Sequence, residues 1–334
     1  MMVPPAEVAA VPAPEILLVE LHDVIGIDVG APLAAYLSRL GSPESRRVMR
    51  SSLDTIARAV SGGTRDARSF PWPAVRYPHT AAIRAWLNER ASPATASRDL
   101  CALRGILREC WRLGLLAGDD YRRAVDLAPI RGAALPRGRA LDSGELRALF
   151  AACAADSAQP RGARDACVLA LLYGCGLRRA EAVALDLADV DPESGTVTVR
   201  RGKGRRARLA YLPSGGRAAL SVWLAVRGGD PGPLLHPLRK GGGDAAIEPR
   251  RLSPQALAGL LERVARSARL AAPASPHDLR RSYVSDLLEL GADLSAAQQL
   301  AGHVSPATTA RYDRRGERAK QRAAELLHVP YAAS

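Results

Sequence analysis

Tyr312 stands near the end of the stretch GHVSPATTARYDRR, nine residues after His303 and with arginines on both sides. A phenol, with a pKa of about 10, is a poor nucleophile until nearby positive charge stabilises its anion. If it attacks a DNA phosphodiester, the bond energy is kept in a phosphotyrosine, and the step requires neither ATP nor a metal. Charge that could activate it stands elsewhere in the chain. In "HDLRR", His277 and Arg280 are three apart at a helix N-terminus, on one face and beside the positive end of the helix dipole, which suits a phosphate. In "GCGLRRAE", a glycine-broken helix junction leaves Arg178 free to project and grip two phosphate oxygens, with Glu181 one turn on. Lys203, in "RRGKGRR", is one of three lysines (with Lys240 and Lys320) among 47 basic residues. An ammonium can surrender a proton and a guanidinium does not, so proton transfer would explain the exception. "GKG" lacks the upstream glycine and following Ser/Thr of a phosphate-binding P-loop. Taken singly, each motif also fits a bland account: a solvated helix face, a pair of surface arginines, a helix-forming glutamate, a lysine in a turn, one tyrosine of eight.

These side chains need elements to hold them. From Ala31 to Leu127 the pattern is helical, in about four helices, with Ser42-Pro43 and Ser92-Pro93 as start signals and Leu100, Leu103, Ile106, Leu107 and Trp111 at helical spacing. Residues 127 to 140, rich in Pro, Gly and Arg, read as a linker, and residues 1 to 28 as a loosely ordered extension. Asp142 and Glu145 have capping-box spacing, "ARDACVLALLYGCGL" reads as a buried helix stopped by Gly176, and "RRAEAVALDLADV" as the next helix. "GTVTVRRGKGRRARLAYLP" then alternates, predicting a β-hairpin with Lys203 at its tip, followed by loop at "LHPLRKGGGDAAIEP". Helices open at Ser253-Pro254, Ser275-Pro276 and Ser305-Pro306, and the tail is amphipathic, with Ala323, Leu326, Leu327 and Val329 on one side.

Length allows two domains, and a net charge of +13 with a pI near 10.2 points to a polyanionic partner, nucleic acid before membrane. The charge is uneven. Residues 1 to 130 hold 16 basic and 14 acidic residues, and residues 131 to 334 hold 31 and 20, so the second part carries the footprint. Five scattered cysteines (Cys101, Cys110, Cys153, Cys167, Cys175) read as buried free thiols in a reducing compartment, neither disulfides nor a zinc site. With no basic leader and no uninterrupted apolar span, the expectation is a cytoplasmic protein. No period of 20 to 50 residues repeats, which excludes solenoids.

In the order Arg178, Lys203, His277, Arg280, His303, Tyr312, set in "GLRRAE", "GKG", "HDLR", "AGH" and the terminal tyrosine helix, the chain resembles the tyrosine recombinase (phage integrase) family, nearest its Xer-like bacterial members. The resemblance covers roughly residues 31 to 325, and the ordered set makes it specific. It implies a mainly α fold with a small β-sheet (α+β): a helical, SAM-like core-binding domain over residues 29–129, a linker at 130–140 and a catalytic domain over 141–330, forming a C-shaped clamp on DNA. It implies metal-independent site-specific recombination without a cofactor. Arg178 and Arg280 would clamp the scissile phosphate, His277 and His303 hydrogen-bond its oxygens and assist proton movement, and Lys203 protonate the 5′-oxygen leaving group. Tyr312 would form a 3′-phosphotyrosyl link, while Glu181 would orient the cluster. Double-stranded target sites, a synaptic homotetramer, and a partner recombinase or directionality factor would be the partners, with no membrane; a C-terminal segment would dock on a neighbour. Arg98, Arg104, Arg108, Arg201, Arg205 and Arg281 are the candidate DNA-contacting arginines, within helices of residues 81 to 115 and the basic second part. Ala180, Arg281 and Ala301 depart from the family's usual residues without removing a catalytic group, which predicts changes of rate or packing.

Three other readings compete. A metal-dependent nuclease could recruit Asp186, Asp189, Asp191 and Glu193, but these carboxylates lie in one short acidic turn, read as a solvated loop, where two-metal catalysis needs spatial convergence. A non-catalytic accessory protein explains the charge and leaves Lys203 and Tyr312 unexplained. A type IB topoisomerase-like enzyme would use similar residues without choosing a sequence.

Overall fold

Among the described residues four helices open where a serine precedes a proline, because the hydroxyl can accept one of the helix's first free N–H groups and proline needs no N–H there; at the start expected at Ser305-Pro306, the proline lies outside them. Ser42, Ser253 and Ser275 accept from the N–H of Ser45, Ala256 and Asp278, while Ser92 meets the Thr95 hydroxyl at 3.2 Å. The computed structural model describes residues 30–132, 138–200, 207–239, 246–303, 305, 309 and 310. The chain divides into two units, Met1–Leu135 and Pro136–Ser334, each around its own core.

The first unit holds α1 (Ala31–Ser38), α2 (Pro43–Val60), α3 (Tyr77–Arg90), α4 (Pro93–Arg112) and α5 (Gly118–Val125). Helix α4 is its centre, packed on α1, α2, α3 and α5. Leu100, Leu103, Ile106 and Leu107 are buried as the repeat requires, each contributing about 1.5–3 kcal/mol of hydrophobic stabilisation. Trp111, which continues that repeat, is instead exposed and stacks on Tyr121 at 5.2 Å between ring centroids. The short, polar α5 makes this a five-helix unit among the described residues, one more than the sequence suggests, because its only buried residue is Ala124 and it leaves little apolar period to read. Gly105 lets α1 approach: a Cβ there would lie 2.3 Å from the Tyr36 ring.

In the second unit, α6 (Ser143–Ala154), α7 (Gln159–Leu169), α9 (Ser214–Arg227) and α10 (Pro254–Ser267) surround Cys167, Val168, Leu171, Trp223, Leu257 and Leu261. Between α7 and α9 lie the short α8 (Arg179–Ala184) and three antiparallel strands, β1 (Val190–Asp191), β2 (Thr196–Val199) and β3 (Arg208–Tyr211), in that order. The register pairs Val197 with Ala210 and Val199 with Arg208, so the inner face carries Val197, Val199 and Ala210, together with the Arg208 side chain. Helices α11 (Pro276–Glu289) and α12 (Leu294–Ala301) complete the described part.

Several expectations need correction. The helix before Gly176 starts earlier, at Gln159, and ends in a five-residue π-helical turn, Ala170–Gly174. "RRAEAVALDLADV" is helical only through Ala184; Leu185 is extended and Leu187–Asp189 a 3-10 turn. The acidic turn is only partly solvated, since Asp189 is buried and ion-paired with Arg200, Asp186 is ion-paired with Arg251, and Val190–Asp191 forms β1. Helices α9 and α12 were not anticipated. Of the five cysteines, Cys101 is exposed and the other four are buried. The mainly helical fold with a small sheet is as expected, and among the described residues no helix is long and apolar enough to cross a membrane.

Candidate active site

Three segments converge in the second unit: the Gly176–Glu181 junction, the first turn of α11 and the turn that ends α12. Gly176 makes the first possible. Its φ of +57° is left-handed, and a Cβ would lie 2.2 Å from the Tyr283 ring, so only glycine lets the chain leave the π-helical turn this close to α11. Two residues later, Arg178 occupies the N-cap of α8. Glu181 accepts from its backbone N–H at 2.9 Å and from Nη1 at 2.7 Å, while Nη2 donates to the Gly302 carbonyl at 2.8 Å.

The α11 turn is fixed by Asp278, which accepts from the Ser275 N–H at 2.8 Å, the Ser275 hydroxyl at 2.7 Å and the Arg139 N–H at 2.9 Å. Arg139, Ala140 and Leu141 therefore run against this helix. Arg281 donates to the Gly138 carbonyl at 2.9 Å, and the Leu141 N–H donates to Ser282 Oγ at 2.8 Å. His277 stands exposed on the turn, whereas Arg280 is buried and donates to the carbonyls of Gly176 and Ala301.

Gly302 closes the arrangement. With φ +64° it caps α12 in the left-handed conformation, and the consecutive carbonyls of Ala301 and Gly302 receive Arg280 and Arg178 respectively. His303 follows, buried, its Nδ1 2.8 Å from the hydroxyl of buried Thr309. From β3, Arg208 donates at 2.8 Å to Glu181 Oε2, the oxygen that also accepts the Arg178 backbone N–H, and to the Leu300 carbonyl at 3.3 Å.

The described cluster thus combines three guanidiniums, one carboxylate and two imidazoles. Burial first, then Arg280, Arg178, Arg208 and His277, hold the His303 imidazole down at about 4, so it is neutral at pH 7. His277 is lowered by desolvation and by Arg280, against the pull of Asp278. Burial works against the charge of Glu181, but the hydrogen bonds from Arg208 and from the backbone and side chain of Arg178 outweigh it and keep its pKa below the usual glutamate value. Such a cationic cluster with neutral imidazoles beside it suits an anionic group.

The structure brings together Arg178, Glu181, His277, Arg280 and His303 of the residues singled out in the sequence. Lys203 and Tyr312 lie outside the described residues, as do Arg201 and Arg205 and the C-terminal amphipathic segment; in sequence, Lys203 falls between the paired residues Val199 and Arg208. The α4 arginines have partners within their unit. Arg98 pairs with Asp99 at 2.9 Å, Arg104 donates to the carbonyls of Val125 and Leu127, and Arg108 donates to the Tyr121 hydroxyl at 3.2 Å. Sequence reasoning missed Arg208 and Thr309. In "RLAY" the larger apolar side chains, Leu209 and Tyr211, alternate against Arg208 and suggest that it faces outward, whereas both are half-exposed and Arg208 faces in.

The sequence model of the phage integrase family matches residues 139–318. The chain is 38% identical to the tyrosine recombinase XerD of Caulobacter vibrioides over 66% of this chain and 70% of that protein. It is 36% identical to the tyrosine recombinase XerC of Alcanivorax borkumensis over 73% of this chain and 76% of that protein. In fold it is similar to the Tn1549 transposon integrase solved in complex with transposon right end DNA, with a TM-score of 0.64 at 17% identity over 90% of this chain and 100% of the other.

Proposed function

The chain belongs to the phage integrase family and is a tyrosine recombinase acting in site-specific DNA recombination, and from that premise we propose how its own residues carry the reaction. Tyr312 Oη attacks the scissile phosphorus, its proton passing to an imidazole of the cluster, and a 3′-phosphotyrosyl bond forms as the bond to the 5′-oxygen breaks. Lys203 delivers the proton that this oxygen takes up. Arg178 and Arg280 balance the charge that gathers on the non-bridging oxygens, and His277 and His303 donate hydrogen bonds to them. Attack by a 5′-hydroxyl of the partner strand reverses the step and releases Tyr312, so the bond count is conserved without ATP, and no cofactor or metal enters the scheme. The observation that carries this reading is the convergence of Arg178 and Arg280 on consecutive carbonyls of the turn that delivers His303.

Both units contact the duplex in this reading, the first through the exposed side of α4 around Arg98, Arg104 and Arg108, the second through Arg281 and the hairpin arginines Arg201 and Arg205. Strand exchange takes place in a tetramer on two sites, in the cytoplasm, a setting that free thiols fit. The C-terminal segment of one protomer seats on its neighbour. A groove of about 410 Å³ lined by Tyr173, Tyr211, Leu287, Leu290 and Leu300, with Leu290 86% and Tyr211 51% exposed, offers an apolar seat of the right kind.

Covalent capture tests the chemistry. Wild type and Tyr312→Phe are incubated with pooled nicked DNA fragments in chelator, denatured, and the DNA retained on protein is sequenced. Adducts with wild type alone, enriched in one sequence, are expected. Adducts from Tyr312→Phe, or wild-type adducts that form only in a parallel incubation without chelator, would overturn the assignment.

A further inference from the structure

Arg208 carries features that its fold position does not require. Its register opposite Val199 puts a guanidinium on the inner face of the sheet, where its neighbours Val199 and Ala210 are buried. The side chain is only 11% exposed, less than half the 28% of Arg178. A cation so enclosed is tolerated when its donors are matched, yet Nη1 is buried without a hydrogen-bond partner among the described residues. Shape also singles out this residue. A Cβ on Gly302 would lie 2.9–3.0 Å from Cδ, Nε and Cζ of Arg208, so the glycine is needed for its backbone angle and for the guanidinium laid against it. Arg208 is the first described paired residue after the segment between β2 and β3 whose sequence includes Lys203, and it bonds to both other parts of the cluster, Glu181 beside Arg178 and the Leu300 carbonyl in the last turn of α12.

We propose that Arg208 is a positioning residue for strand cleavage: through Glu181 it sets the guanidinium of Arg178, and through Leu300 it ties the root of the Lys203 hairpin to the turn that carries His303. This rests on the reading of the site given above. Glu181 gives Oε1 to the Arg178 guanidinium and Oε2 to the Arg208 guanidinium and the Arg178 backbone N–H. Without Arg208 its buried carboxylate is left to Arg178 alone and draws that guanidinium away from an incoming phosphate. The planar fork matters, because one ammonium cannot reach both acceptors with the same geometry.

The test uses the nicked fragment recovered by covalent capture, with single-turnover adduct formation at saturating protein and separate binding on the uncut fragment. Arg208→Gln is expected to slow adduct formation roughly 10- to 100-fold, the range of a lost charge-assisted hydrogen bond, and to change binding less than about threefold. Arg208→Lys should recover less than half of the loss on a logarithmic scale. Arg208→Gln combined with Glu181→Gln should be within about twofold of the slower single variant, since both act on the same route. Wild-type rates in Arg208→Gln, a binding loss as large as the rate loss, full recovery by lysine, or multiplying effects in the double variant would each overturn the proposal. Should Arg208→Gln fail to fold, the lysine variant keeps the charge and the double variant removes both charges together, so these two decide. A wild type that forms no adduct refutes the site reading itself, whereas adducts formed equally by wild type and Arg208 variants refute only the role of Arg208.

Discussion

His303 is held neutral by burial and by three guanidiniums, and that has a definite sign in pH. Its folded-state pKa lies below the ordinary value of about 6.5, so the folded protein binds this proton less well than the unfolded chain. The stabilising contribution is complete above that ordinary value and is lost as pH falls towards about 4. His277 shifts in the same direction. Melting temperatures followed from pH 7 to 4 should therefore fall less steeply in His303→Asn than in wild type; parallel curves would contradict the assignment. A phosphate placed beside these rings reverses the balance and favours the imidazolium. DNA binding near pH 6 should then take up protons, seen by calorimetry in two buffers of different ionisation heat, and His303→Asn should take up fewer. At this scale the sequence was legible where residue type and spacing coincide: His277 with Arg280, Arg178 with Glu181. Arg208 was not, because it is one arginine in the basic run "RRGKGRRAR" and only the strand register decides which member turns inward.

Helices with proline starts and an apolar stripe were readable, whereas α5 and α8 were blurred because six or eight residues hold too few buried positions to show a period. The π-helical turn at Ala170–Gly174 leaves no mark in composition; its effect appears at Gly176, which must take up the displaced chain direction. Gly176→Ala is expected to lose about 2–4 kcal/mol, combining left-handed strain with overlap on Tyr283, measured by denaturant unfolding. Gly259 in α10 has open space around it and no positive φ. Gly259→Ala should gain about 0.5–1 kcal/mol in the same assay, and equal effects at the two positions would show that backbone geometry is not what distinguishes them.

For the whole molecule, the excess of basic over acidic residues is +2 in residues 1 to 130 and +11 in residues 131 to 334, which weights electrostatic attraction towards the part that holds the cluster. If six to ten phosphates are contacted, the logarithm of affinity should fall with the logarithm of salt at a slope of roughly −5 to −9, read by fluorescence anisotropy on the captured fragment. A slope shallower than about −3 would contradict binding by both units. Composition and charge told the class of partner, but they carried no information about the turn at Gly138–Leu141. There the chain arriving from the first unit is fastened to α11 by Arg139 on Asp278, by Arg281 on Gly138 and by Leu141 on Ser282. The helix that presents His277 and Arg280 is therefore an anchor of the segment Gly138–Leu141. A displacement of that segment is passed to the turn bearing His277 and Arg280 through these three bonds, so if that turn takes part in cleavage, graded changes in the length of the preceding segment are expected to change the rate of adduct formation.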